Sequence, residues 1–193
     1  MGWLYCEYSK DALVRSLIAS TEYDDENGKG KRVTLKHCVK GNHLWAVRQH
    51  THTKDGISTE SRYIMLYLMA KHDGMWGYKD MDEYCGMYYW NCPLNYLKLA
   101  PQQNVSGNLK EWNDDWRKKV VEYWQEETRK RNFKKSLKIG TKITLPGYAG
   151  EFQITQLKPC IIAYIGMSSY RISPRMIKHA KIVEETAKQL EMA

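Results

Sequence analysis

The longest uninterrupted apolar run in this chain is Ile64 to Ala70, about seven residues. A helix that crosses a bilayer needs about 20. The chain is therefore expected to fold in water from short elements and to have no membrane partner. Its 193 residues suffice for one medium domain or two small ones around a real core. Apolar residues at 42% and charged residues at 27% are ordinary globular usage, against a mainly disordered chain. Glu7, Lys10 and Asp11 interrupt any apolar stretch near the N-terminus. No signal peptide is expected there, and the expected location is cytoplasmic.

The five cysteines, Cys6, Cys38, Cys85, Cys92 and Cys160, are odd in number and contain no CxxC pair. Free thiols in a reducing compartment are expected, with Cys6, Cys38 and Cys160 packed as small hydrophobes. The nearest approach to a metal signal is His50-Thr51-His52, which alternation places on one strand face, with His37, Cys38 and His43 beside a neighbouring turn. Two histidines at a polar strand end are more often simply exposed. No metal and no cofactor are expected.

The turn residues divide the chain. Residues 3 to 8 read as an aromatic strand, and Ser9 as the N-cap of a helix carrying Leu13, Leu17 and Ile18 inward. Asp24 to Lys31 reads as a polar loop. Arg32 to Val39 and His43 to Thr51 form the clearest hairpin, around Lys40-Gly41-Asn42. Ile57 to Ala70 is a strand, or a strand start running into a short helix, because a continuous apolar run has no period. Asp80 and Glu83 match the spacing of a capping box, so a short helix is expected there. One or two helical turns around Leu94 and Leu97 precede Pro101.

Gln102 to Gly107 reads as a linker, and Asn108 as the cap of the strongest helix, ending near Arg131 or Lys135. Leu109, Trp112, Trp116, Val120 and Tyr123 follow at spacings of three and four. That stripe, with Trp124 beside it, is either core or a partner-binding face. From Leu137 the pattern changes to short strands: Leu137 to Leu145, Phe152 to Leu157, Cys160 to Ile165, Tyr170 to Ser173 and Met176 to Val183. Turn signals at this spacing suggest a small barrel of Tudor or KOW type, with a terminal helix from Glu184 to Met192. The expected fold is α+β. Residues 1–101 form an N-terminal antiparallel sheet with helices, 102–136 a linker and long amphipathic basic helix, and 137–193 the small β-barrel.

The net charge is +8, and nearly all of it lies after Ala100. Arg129 to Lys142 holds seven cations in 14 residues and no acid: Arg129, Lys130, Arg131, Lys134, Lys135, Lys138 and Lys142. Such a tract attracts polyanions by releasing their counterions. These seven are the candidate nucleic-acid or partner-binding residues. Trp76 and Tyr78, set among glycines, and the adjacent Lys79 complete the set. The two rings are read either as partner-binding hot spots or as cover for the sheet.

No Walker loop, GxGxxG, HExxH or GxSxG occurs. No catalytic residue is assigned. The one enzyme-like cluster is Asp80, Asp82 and Glu83, which could hold a divalent cation for phosphodiester or nucleotide chemistry.

The block Trp76-Gly77-Tyr78-Lys79-Asp80-Met81-Asp82-Glu83, followed by Cys92-Pro93-Leu94, resembles a family of small bacteriophage and mobile-element proteins. Gly2-Trp3-Leu4-Tyr5-Cys6 and Gly41-Asn42-His43-Leu44-Trp45 resemble it too, so the likeness covers roughly residues 1 to 100. The family has no assigned activity, and no catalytic role transfers. The resemblance implies a phage or prophage setting in the cytoplasm of a bacterial host. There, small accessory proteins bind nucleic acid or disable host defence, as anti-CRISPR and anti-restriction inhibitors do. The expected function is thus a non-enzymatic accessory protein that binds DNA, RNA or a host defence nucleoprotein. The alternative is a metal-dependent enzyme acting on phosphodiesters or nucleotides.

Overall fold

Three two-residue turns organise the first part of the chain in the computed structural model, which describes residues 2–25, 28–103 and 105–183. Gly41-Asn42 joins β3 (Gly28–Lys40) to β4 (His43–Lys54), Asp55-Gly56 joins β4 to β5 (Ile57–His72), and Asp73-Gly74 joins β5 to β6 (Met75–Asp82). Asp55 and Gly56 have φ of 51° and 77°, and Asp73 and Gly74 of 48° and 81°. Two successive positive φ values make a type I′ turn, whose twist matches that of the flanking strands. β1 (Leu4–Cys6) pairs with β6, and β2 (Thr21–Asp25) with β3. The result is a curled antiparallel sheet of six strands in the order β1-β6-β5-β4-β3-β2.

The sequence expectations need correction here. Part of the expected polar loop at Asp24 to Lys31 is the end of β2 and the start of β3, with Asp24 paired to Lys29. Its polarity reflects an exposed edge of the sheet. The apolar run at 64–70 stays in β5 throughout. Asp80 caps no helix, because Met75–Asp82 pairs along β5, Met81 opposite Leu66.

The centre of the sheet is covered on both faces. Successive residues of a strand point to opposite sides. Trp45, Val47, Ile64 and Leu66 face one core, which α2 (Tyr96–Leu99) and α3 (Asn108–Ser136) close with Tyr96, Trp116 and Val120. Leu44, Ala46, Tyr67 and Met69 face the other, closed by Leu13 and Leu17 of α1 (Lys10–Ile18). Ser9 Oγ caps α1 by accepting from the Ala12 amide at 3.2 Å. At its other end the buried Arg48 guanidinium donates to the carbonyls of Leu17 (2.7 Å) and Ala19 (3.1 Å), satisfying acceptors that a helix C-terminus leaves open.

Glu83, just past β6, is buried and ties the sheet to α3. Its Oε1 accepts from the Ile64 amide at 2.9 Å. Its Oε2 accepts from Asn113 Nδ2 at 2.8 Å and from Arg117 Nε at 2.7 Å. Arg117 also donates to the Ala100 carbonyl at 2.7 Å. α3 starts on the Gly107 carbonyl, which accepts from the Lys110 amide at 3.0 Å. Asn108 is the first helical residue rather than the expected cap. The outer face carries the pairs Lys110–Asp114 and Asp115–Lys119. Trp116 and Val120 are buried and Trp124 packs beside them, whereas Leu109 and Trp112 lie outside that core.

The chain divides into two compact units at Trp124/Gln125, so α3 contributes to both. The second unit has its own sheet: β7 (Lys142–Thr144), β8 (Phe152–Gln156), β9 (Ile161–Ile165), β10 (Ser168–Ile172) and β11 (Lys181–Ile182). The order is β10-β9-β8-β7-β11. Ile143, Phe152, Ile154, Ala163 and Ile172 form its core with Leu137 and Ile177. The expected strand over Leu137 to Leu145 shrinks to three residues. The one expected over Met176 to Val183 is α4 (Pro174–Ile177) followed by β11, because the Ser173 hydroxyl accepts from the Met176 amide and starts a helical turn. Among the described residues no pairing of β10 with β11 closes the sheet. The expected helix from Glu184 to Met192 lies outside the described residues.

Removing one member of a buried ion pair leaves the other charge uncompensated, at about 3–5 kcal/mol. Glu83→Ala is therefore expected to lower unfolding stability by that amount in urea titrations. Lys110→Ala, which removes an exposed pair, should leave the urea midpoint nearly unchanged. Equal effects of the two would contradict the role given to Glu83.

Candidate functional site

The basic tract meets acids that its own sequence lacks. One turn upstream, Glu126 accepts from Arg129 Nε at 2.7 Å and Nη2 at 2.9 Å. This hydrogen bonding holds the Glu126 carboxyl below the usual carboxylate range. Arg129 also donates to the Lys178 carbonyl at 3.2 Å. Lys130 pairs with Glu127 at 2.6 Å, and Lys142 with Glu151 at 3.6 Å. Three of the seven cations are thus partly neutralised inside the chain. Arg131, Lys134, Lys135 and Lys138 are exposed and have no acid within ion-pair distance among the described residues. Spacings of three and four put Arg131, Lys134 and Lys135 on one side of the last turns of α3, with Lys138 just beyond the helix.

Folding adds cations that the sequence did not single out. Lys134 lines a cavity of about 640 Å³ with Lys158, Arg171 and Ser173, over an apolar floor of Leu157, Ile161, Ile172 and Ile177. Lys134 and Ile177 also line a second cavity of about 300 Å³, with Lys130, Arg131, Lys178 and the acid Glu127. Residues from the end of α3, the β8–β9 loop, β10 and the end of α4 therefore line two cavities that share Lys134 and Ile177. From Gln125 to Val183 twelve cations stand against three acids. The charged residues lining the first cavity are all cations, and a cleft lined by one sign of charge focuses its field and raises the local concentration of the opposite charge. No local signal marks Lys158, Arg171 or Lys178, since each is separated from Lys134 by more than a hairpin of chain.

Trp76, Tyr78 and Lys79 lie on β6 of the first unit. Trp76 packs on the core closed by α1, and Lys10 Nζ sits 5.2 Å from its ring centroid. The Tyr78 ring meets the edge of Tyr67 at 6.1 Å. Burial and the nearby Asp80 push the Tyr78 hydroxyl pKa up. Gly77 makes no turn: a Cβ there would lie 2.5 Å from the Tyr5 ring, so the glycine lets β1 pack closely. The basic tract belongs to the second unit and these three residues to the first.

The acidic cluster does not come together. The Glu83 carboxylate is committed to Ile64, Asn113 and Arg117. Asp82 Oδ1 accepts from the Tyr84 amide at 2.9 Å and the Cys85 thiol at 3.1 Å. His50 and His52 share a face of β4, with ring centroids 6.2 Å apart, and the Tyr23 hydroxyl lies 2.6 Å from His50 Nε2. Burial and the Arg32 charge push the His50 pKa down. No group of three or more His, Cys, Asp or Glu side chains is arranged to hold a metal among the described residues. All five cysteines are free thiols. Burial pushes the Cys92 thiol far above its ordinary pKa. Among the described residues no helix is long and apolar enough to cross a membrane.

No family model, no curated protein and no solved structure matches this chain.

Trp76 lends itself to a direct check. Truncating a well-packed Trp costs about 3–5 kcal/mol, and Trp76 is half-buried. Trp76→Ala is expected to cost about 3 kcal/mol and to lower the melting temperature by several degrees. An unchanged melt would restore Trp76 as a free contact residue.

Proposed function

We propose that this protein is a non-enzymatic nucleic-acid-binding protein that holds its polyanion through the second unit. The observation that carries this reading is the cleft at Lys134. Exposed cations with no acid partner among the described residues (Arg131, Lys134, Lys135 and Lys138) continue into walls carrying Lys158 and Arg171. Lysine and arginine neutralise phosphates, and the released counterions drive binding. We read the unit as a small barrel of Tudor or KOW type. In favour of this, the last strand β11 returns beside the first strand β7, after the short helix α4.

The likeness of the Trp76–Glu83 block to phage and mobile-element proteins supports a setting in the cytoplasm of a bacterial host. In that setting the bound nucleic acid can be that of a host defence nucleoprotein, and the protein would act as an anti-CRISPR or anti-restriction inhibitor. A protein with net charge +8 cannot act by imitating DNA. It would engage the guide RNA, the target DNA or an acidic protein face.

With four or five phosphate contacts, the log–log salt slope for duplex DNA is expected to be about −3.6 to −4.5. Lys134→Glu/Lys135→Glu/Lys138→Glu should abolish binding with the melt unchanged. Lys142→Ala should weaken it little, because Lys142 already pairs with Glu151. Wild-type protein that binds neither DNA nor RNA at low salt would overturn the reading.

Incubation of DNA or RNA with magnesium or manganese is expected to give no cleavage. Cleavage lost on Asp80→Ala would establish the enzyme instead.

A further inference from the structure

We propose that an aromatic groove on the first unit binds a cationic side chain, an arginine guanidinium or a lysine ammonium, presented by a partner protein. This proposal is independent of the polyanion reading, which concerns the second unit. The groove is a cavity of about 590 Å³ between the segment 86–90 and the first turns of α3. Tyr88, Trp90 and Trp112 line it and remain 42%, 38% and 61% exposed. Large rings left open together in a water-facing groove mark an interaction site.

The groove is preorganised although its rings are open. Trp116 Nε1 donates to the Tyr88 carbonyl at 3.1 Å, and Trp124 Nε1 to the Cys92 carbonyl at 2.6 Å. Lys40 Nζ donates to the Asn91 carbonyl at 2.8 Å, and the Tyr123 hydroxyl to Asn91 Oδ1 at 3.2 Å. These bonds hold the backbone of 88–92 against α3 and β3. The Tyr88 and Trp90 rings touch, with centroids 4.3 Å apart and planes tilted by 30°. The Tyr88 and Trp90 rings therefore lose little freedom when a ligand arrives, which lowers the cost of binding.

Charge selects the occupant. The faces of Trp and Tyr rings carry negative potential and attract cations within about 6 Å. The acids on the rim are Glu111 and Asp115, and the single cation there, Lys119, is drawn onto Asp115 at 2.6 Å. Glu111 has no ion pair among the described residues, so the rim keeps a net negative charge that favours an ammonium or guanidinium and repels phosphate. Elsewhere the chain supplies cations to its own rings. Lys10 sits over Trp76 at 5.2 Å, Lys40 over Trp124 at 5.2 Å and Arg32 over Tyr23 at 5.8 Å. Among the described residues none sits over Tyr88, Trp90 or Trp112.

The test is a tryptophan-fluorescence and NMR titration of the full chain with four probes. They are a short arginine peptide, the same peptide carrying trimethyllysine, its isostere with carbon in place of the quaternary nitrogen, and uridine monophosphate. At least one cationic peptide is expected to bind about fivefold or more tighter than the uncharged isostere. Trp112→Ala should remove that binding. Glu111→Gln should weaken the cationic peptides and leave the isostere unchanged. Lys134→Glu/Lys135→Glu/Lys138→Glu should change none of it, so failure here and failure of the polyanion reading are separate results. Equal affinity for peptide and isostere would mean a merely apolar groove and would overturn the proposal. So would preference for uridine monophosphate, or no binding by any probe. Because Trp112 lies outside the core, its alanine variant is expected to fold; Trp90→Leu, checked by its melt, provides a second variant.

Discussion

The buried pair Glu83–Arg117, 2.5 Å apart at its closest, is the constraint on which the first unit depends. A carboxylate removed from water is tolerated only when its oxygens are filled. Here the Ile64 amide, Asn113 and Arg117 fill them, and those three donors come from β5 and α3. The pair therefore sets where α3 crosses the sheet. Trp116, one residue before Arg117, then falls into the core, and its indole nitrogen reaches the Tyr88 carbonyl.

Covering both faces of β4 and β5 has a second consequence. Residues 44–48 are buried without a break. One parity faces α2 and α3 and the other faces α1, so the strand loses the alternation that marks a half-exposed strand. The apolar run Ile64 to Ala70 has the same origin. Its ambiguity in the sequence records burial on two sides. The edges behave differently. β2 and the start of β3 are polar because water reaches them, and polarity there does not mean loop.

The two candidate surfaces differ in how they arise. The basic tract of α3 is local, but its usable charge is decided by neighbours. Glu126, Glu127 and Glu151 withdraw Arg129, Lys130 and Lys142, while folding brings Lys158 and Arg171 to Lys134. The aromatic groove joins Tyr88 and Trp90 to Trp112 across more than twenty residues of chain. Neither the helical period of 112, 116 and 120 nor the aromatic run at 88–90 shows which rings stay open. Position along α3 decides it, since Trp112 lies outside the core that encloses Trp116.

The sequence by itself determined the features that rest on short-range physics. These are the Ser9 cap of α1, the turn at Gly41-Asn42, the long helix to about Arg131 or Lys135, the change to short strands after it and the placement of excess charge after Ala100. Each depends on residues within a few positions of one another. The tertiary structure decided the rest. It continued β5 through His72, drew Asp80 and Asp82 into or to the end of a strand instead of a capped helix, committed Glu83 to Arg117 and turned Trp112 outward. Those outcomes depend on which surfaces meet across dozens of residues, and burial and ion pairing at such range leave no periodic trace in the chain.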